Sequence, residues 1–417
     1  PATKMHIPPS LKHKKFFYLW LGQLISITGT QMQIWALFWH INQLNHNPIA
    51  LGGIGVARIL PVIVFSLIGG ALADSMDRRK VLFVTQSFAA LLALTLGLLT
   101  QFGHVTIWHI YFITALQAVA VAFDGPSRQA LVPNLLPKKD LPNAFSMTFT
   151  SFQIGSVLGP ALSGVVIAFA GQAAVYYFNG FSFIAVLFAL FMIGNVPQSF
   201  AEKSAGVSIE SIREGVNFIL GKPVIFSTMM LDFVATFFAS ANTLMPIIAT
   251  SVLKVGVVEY GYLSAAPAVG AVLAALIISQ IKELRKQGPL FLGAVIIFGI
   301  ATVIFGATKL FIIAWLAIAA TGAADGVSTI IRNTIRQLQT PDHIRGRMTS
   351  INQIFFQGGP QLGEIEAGTV AQFFGAPFAV ISGGIGCILG TFYIIWKWPH
   401  LMKYNGDEPI LAGATAD

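Results

Sequence analysis

Apolar runs of about twenty residues or more, separated by short polar breaks, recur along almost the whole chain, and a run of that length crosses a bilayer as an α-helix. The pattern predicts twelve spans. Six fall at about 16–41, 50–73, 81–102, 107–130, 143–170 and 173–194, and six more near 224–249, 260–281, 289–305, 310–335, 347–373 and 377–396. The breaks are of two kinds. Some are minimal turns, such as 42–47; others carry bases, as in Asp77-Arg78-Arg79-Lys80 and in the loop with Lys138, Lys139 and Asp140. Charge at this density cannot lie in hydrocarbon, and Lys/Arg-rich short loops stay in the cytoplasm. On that rule both termini are expected on the cytoplasmic side.

The longest polar interval, 195–222, contains Ile209, Ile212, Val216, Phe218, Ile219 and Leu220 among Glu210, Arg213 and Glu214. This spacing predicts an amphipathic helix on the inner surface. It divides the chain into an N-terminal bundle with its tail (1–194), a linker (195–222) and a C-terminal bundle with its tail (223–417). An internal repeat supports the division. Asp124-Gly125-Pro126-Ser127 has a counterpart in Asp325-Gly326-Val327-Ser328, and Leu158-Gly159-Pro160 one in Gly358-Gly359-Pro360, each roughly two hundred residues later. Two equivalent six-span bundles provide a path at their seam that rocking can expose to either side.

Composition narrows the class. Of 417 residues 55% are hydrophobic and 10% charged, with mean hydropathy +0.73; a soluble domain averages about 25% charged. A transmembrane β-barrel would show short segments of period two, so helices are expected, and the forty Gly and twenty Pro are tolerated in membrane helices. The net charge of +8 is explained by loop bases on one side and does not call for nucleic acid as a partner. The single cysteine, Cys387, excludes an intrachain disulfide. Lys12, Lys14 and Lys15 lead into a first run too long for a signal peptide, so no separate cleavable signal is expected. There is no Walker phosphate loop, the histidines lack ligand spacing, and no reactive cluster assembles. Neither ATP-driven transport, a metal, another cofactor nor an enzyme is expected.

The link from Gly70 through Ala71-Leu72-Ala73-Asp74-Ser75-Met76-Asp77-Arg78-Arg79 resembles the signature that joins spans two and three in the major facilitator superfamily. Ser75 stands where that signature has its first Arg, and Asp77 where it has its second Gly. The resemblance implies an all-α polytopic membrane protein with the major facilitator fold, twelve transmembrane helices in two pseudo-symmetric six-helix bundles. Within the superfamily, Pro126 to Leu135, Leu141-Pro142-Asn143-Ala144 and Arg345-Gly346-Arg347-Met348-Thr349-Ser350 resemble the bacterial transmembrane secretion effector branch, which holds enterobactin-exporter and macrolide-efflux-like proteins. By the same resemblance Asp74 stabilises an outward-open state through a helix dipole of the other half.

Charges inside apolar segments cost several kcal/mol unless they face a cavity or a partner. Asp232, Glu364 and Glu366 are therefore the proton-coupling candidates, weighed against mere anchoring of helices; Asp232 has Thr228 and Thr236 nearby as hydrogen-bonding groups. Glu364 and Glu366 are two residues apart and point to different helix faces. Gln23, Thr30, Gln31, Gln33 and Trp35 in the first span, Arg58 in the second, and Asn352, Gln353, Gln357 and Gln361 in the eleventh are candidates for an amphipathic substrate cavity, against interhelical packing. Gly70, Asp74, Asp77, Arg78, Arg79, Asp124, Arg128, Asp325, Arg332 and Arg336 are candidates for a conformational switch, and Asp124 and Arg128 are spaced to meet on one helix face. Trp39 and His40 read as interface residues.

The expected function is proton-coupled export of amphipathic organic compounds such as drugs or siderophores, by rocker-switch alternating access in the bacterial inner membrane. Protons are the expected coupling ion and a single chain the functional unit. Translocation of a lipid or lysolipid, or uptake in place of export, is the alternative.

Overall fold

The computed structural model describes residues 8–196, 209–239, 241–281 and 284–406; within helices, the side chains of 66–75, 130, 138, 209–212, 241, 342–347, 349–350 and 353–354 lie outside the description. The described residues are helical apart from short connections, and no strand occurs among them. In order come α1 (Lys14–Leu44), α2 (Pro48–Ser75), α3 (Arg78–Gln101), α4 (Ile107–Leu131), α5 (Leu141–Ile193), α6 (Ile209–Leu220), α7 (Pro223–Phe238), the single turn α8 (Met245–Ile247), α9 (Val257–Ser279), α10 (Gln287–Ala307), α11 (Phe311–Leu338), α12 (Asp342–Phe374), α13 (Ala376–Lys397) and the short α14 (His400–Lys403).

Among the described residues, nine helical segments are long and apolar enough to cross a membrane. One of them, α5, is a hairpin of two spans. The predicted fifth and sixth spans lie in one helical run of 53 residues, Leu141–Ile193, broken only at Gly171, whose φ of 79° and ψ of 173° reverse the chain. A residue with a Cβ is strained in that region, so glycine makes the turn without a loop. The long helices outside the apolar set are α1 and α12, the two richest in the glutamines singled out above. The remaining departure is the seventh span. The sequence predicts one helix over 224–249, but α7 stops at Phe238 and is followed by a 3-10 turn at Ala241–Leu244, α8, and a π turn at Ile248–Val252. Ala239, at φ −101° and ψ 32°, leaves the helical region and ends α7, and Pro246 then stands in the first turn of α8, where its missing amide hydrogen is not needed.

The chain forms two compact units, 1–40 with 60–206, and 41–59 with 207–417. In the first, a buried cluster of Phe16, Leu19, Leu82, Leu135, Val186 and Leu190 joins α1, α3 and α5. Polar contacts tie the start of the chain to the start of α5: Ser10 Oγ donates to Asn143 Oδ1 at 2.6 Å, His13 Nε2 lies 2.9 Å from Asp140 Oδ2, and Trp20 Nε1 donates to the Met147 carbonyl at 2.9 Å. The second unit buries Leu231, Phe291, Leu292, Ile331, Ile335 and Cys387 between α7, α10, α11 and α13. Large apolar side chains such as Phe169, Trp108 and Trp396 cover the outside, as hydrocarbon requires. Trp39 and His40 depart from the expectation. Both are buried, and His40 Nδ1 meets Tyr176 Oη at 2.9 Å with the rings stacked, so a polar partner inside the bundle replaces the membrane interface.

Candidate functional site

The second unit gathers its charges on α7 and α11. α11 has Asp325, Ser328, Arg332 and Arg336 at successive spacings of three, four and four residues, which returns them to one face. Arg332 Nη1 lies 2.7 Å from Asp232 Oδ1, and each side chain is 2% exposed. The contact is an ion pair by distance, without the alignment of a directional hydrogen bond. The same Nη1 donates to Ser328 Oγ at 2.9 Å and lies 3.3 Å from Asp325 Oδ1, whose side chain is 47% exposed. Arg332 Nε finds no acceptor among the described residues. The hydroxyls of Thr228 and Thr236 do not serve the Asp232 carboxylate: Thr228 donates to the Ile225 carbonyl at 2.7 Å and Thr236 to the Asp232 carbonyl at 2.8 Å. Arg336 donates to Asn352 and Asn333. A cavity of about 10 Å³ beside the cluster, lined in part by Thr236, Asp325, Ser328 and Arg332, is of the size of one water position.

A second buried acid lies further along α12. Glu364 Oε1 lies 3.3 Å from Arg58 Nη1, while Glu364 Oε2 and the neighbouring Gln361 Oε1 are buried without a donor among the described residues. Glu366 and Gln357 are half-buried. Thus Arg58, a cavity candidate, and Glu364, a coupling candidate, are partners, and so are Asn352 and Arg336. Gln353 lies in α12 with its side chain outside the described residues.

In the first unit the polar groups gathered around α1 are neutral amides and hydroxyls. Gln33 Nε2 donates to Gln117 Oε1 at 2.7 Å, and Asn179 Nδ2 donates to Gln33 Oε1 at 2.6 Å. Thr30 Oγ1 reaches Asn179 Oδ1 at 3.5 Å, and Gln31 Nε2 reaches Ser156 Oγ at 3.3 Å. Gln23 is buried with its Nε2 lacking an acceptor among the described residues, and Trp35 stands edge-on to Phe38. Gln117 and Asn179 were not singled out in the sequence. Asn179 is the lone amide of the sixth span, and Gln117 stands within an apolar stretch of the fourth, which is the signal that would have found them.

The switch candidates divide. Asp124 Oδ2 accepts from Arg128 Nε and Nη2 at 2.9 and 2.6 Å, and its Oδ1 accepts from Gln86 at 2.6 Å and Thr85 at 3.2 Å. At the repeat-related position Asp325 has Thr329 four residues on, so its base is Arg332, two turns away. Asp77 caps α3 by accepting from the backbone N–H of Arg79 and Lys80. Arg78 donates to Asn134 Oδ1 at 3.1 Å, and Arg79 donates to the Leu190 carbonyl at 2.7 Å with its guanidinium over the Phe83 ring. Gly70 and Asp74 lie in α2, the Asp74 side chain outside the described residues.

Comparison with known proteins matches this arrangement to a family. The family of transmembrane secretion effectors matches over residues 7–405. A staphyloferrin A transporter of Staphylococcus aureus is 26% identical, over 91% of this chain and 94% of that protein. An enterobactin exporter, EntS of Citrobacter koseri, is 22% identical over 96% of each. In fold, the chain is similar to a bacterial homolog of the human lysosomal transporter Spinster in its inward-facing, unoccupied conformation, with TM-score 0.70 and 13% identity over 95% of this chain and 97% of that one. It is likewise similar to the nucleoside transporter NupG, with TM-score 0.66 and 13% identity over 94% and 99%. The chain belongs to the transmembrane secretion effector family, and it is a multi-pass membrane transporter of the major facilitator fold, not an enzyme.

Proposed function

We propose that this transporter is a proton-coupled exporter of amphipathic organic compounds of the drug or siderophore type, working by rocker-switch alternating access in the bacterial inner membrane. The observation that carries the reading is Asp232, an acid 2% exposed within a membrane helix and held on Arg332. Ionisable groups kept at that depth, against the cost of desolvating them, mark ion or substrate paths. Glu364 and Glu366 on α12 supply further exchangeable protons. The curated relatives named for staphyloferrin A and enterobactin support a siderophore-like cargo. The bundles of 1–194 and 223–417 rock about the linker 195–222. Both termini face the cytoplasm because the basic loops do, and one chain suffices.

The test is proton flux in sealed proteoliposomes, with iron-free enterobactin and iron-free staphyloferrin A as probes, comparing the parent with Asp232→Asn, Glu364→Gln and Glu366→Gln. Substrate-dependent proton movement in the parent, lost in Asp232→Asn, is expected. Unchanged coupling in all three variants would reject the proposal. Movement of a fluorescent phospholipid without movement of either siderophore would point to a lipid translocator, and flux only inward to an uptake system.

A further inference from the structure

The first part of α2 is held against α12 so closely that only glycine fits. A Cβ at Gly52 would lie 2.8 Å from the Glu364 carbonyl oxygen, and one at Gly55 would lie 3.1 Å from both Glu364 Cβ and Glu364 Oε2, with the Gln361 carbonyl closer still. From the other side, a Cβ at Gly368 would meet the Pro48 carbonyl at 2.9 Å. Into this seam the protein places a carboxylate. One oxygen of Glu364 is held by Arg58 at 3.3 Å, and the other is buried with no donor among the described residues. The Arg58 side chain is 32% exposed and the Glu364 side chain 7%, so the base is partly exposed while the acid is buried.

α2 also changes allegiance along its length. Residues up to 59 group with the second unit and those from 60 onward with the first, and Pro61 lies inside the helix at that boundary. A proline there has no N–H to give the carbonyl four residues back, which makes this the weak point of the helix.

We propose that Arg58 and Glu364 form a proton-released latch: with Glu364 ionised the pair holds the first part of α2 on α12, and a proton on Glu364 releases it about Pro61. The proton comes from the medium and is taken by the oxygen that the pair leaves without a donor. Arg58, still charged and no longer paired, turns outward from the seam on the side where it is already exposed. Few other charges act at the seam. Arg58 is the single charged residue in 48–59. α7 brings Asp232, engaged by Arg332, α13 brings Lys397 at its far end, and α6 meets α12 around Met348, with Arg213 and Glu214 remote from Glu364 along the helix. On α12 itself Glu366 is two residues away on another face. The inference rests on the proton being the coupling ion. Arg58 is a positioning residue here, and Glu364 the proton acceptor.

The test uses the full chain in lipid nanodiscs, without substrate. Cys387 is replaced by Ser, and Ile49→Cys and Phe373→Cys, both exposed, carry spin labels on the two sides of the seam. Dipolar broadening reports the joined state. Broadening is expected at the alkaline end of a pH series and lost toward its acid end, with the ratio of separated to joined populations changing by up to about tenfold per pH unit. Glu364→Gln and Arg58→Gln are expected to be unbroadened and indifferent to pH. The exchange Arg58→Glu with Glu364→Arg is expected to restore broadening at the higher pH, which separates a latch from general damage to the fold. A parent without pH response, Glu364→Gln responding as the parent does, or an exchange that restores nothing would overturn the proposal. A pH-sensitive seam in a protein that moves no protons would strike the proposed function and leave the latch standing; intact proton coupling with an insensitive seam would do the reverse.

Discussion

Arg332 and Asp232 invite a double-mutant cycle, because the structure makes the two halves of their ion pair unequal. Breaking a buried pair by removing one partner costs about 3–5 kcal/mol, whereas replacing both by apolar groups of similar volume is close to neutral. Arg332→Met leaves the Asp232 carboxylate 2% exposed among threonine hydroxyls already committed to backbone carbonyls, so its cost falls toward the upper end, about 5 kcal/mol. Asp232→Leu leaves Arg332 with Ser328 at 2.9 Å and the half-exposed Asp325 at 3.3 Å. Its cost is lower, about 2–3 kcal/mol. The double variant should come within about 1 kcal/mol of the parent, far from the sum of the singles. The measurement is unfolding by sodium dodecyl sulfate in mixed micelles, followed by circular dichroism. Additive costs, or two equal single costs, would refute the reasoning, since either would mean that the carboxylate and guanidinium are solvated independently of one another.

Two further outcomes follow from the fold. Asn179→Leu removes a donor to Gln33 and an acceptor for Thr30 inside the first unit, and the orphaned Gln33 oxygen should cost about 1–3 kcal/mol in the same unfolding assay; no loss would show that the amide network is not a stabilising contact. Gly171→Ala forces a Cβ onto a residue with φ of 79° and should cost about 1–2 kcal/mol, although the space around it is open; an unchanged stability would mean that the hairpin turn relaxes to another conformation.

The helices were legible because a bilayer enforces one length and one composition on each crossing, and eleven of the predicted spans are helical from near one end to the other, with 143–170 and 173–194 continuous through Gly171. The seventh span is apolar across Pro223–Val252, as the pattern predicts, but its helix is interrupted within it. Its hydropathy continues unbroken past Ala239, where the backbone leaves the helical region at φ −101° and ψ 32°, and a hydropathy pattern does not register a change of dihedral angle. The acids at depth were visible as charges in apolar runs, but their partners were not. Arg332 is a hundred residues from Asp232 in sequence and Glu364 more than three hundred from Arg58, and no periodicity relates positions on different helices. Asp124 and Arg128 were found because one helix carries both. Gly52 and Gly55 looked like ordinary membrane glycines until Glu364 was seen packed against them.

Membrane voltage exerts force on charge, and the network of Gln33, Gln117, Asn179 and Thr30 carries none. When those amides exchange partners they reorient dipoles without carrying an elementary charge through the field. An electric current recorded across a membrane holding this protein would therefore have to originate elsewhere, in the ionisable side chains or in the cargo itself.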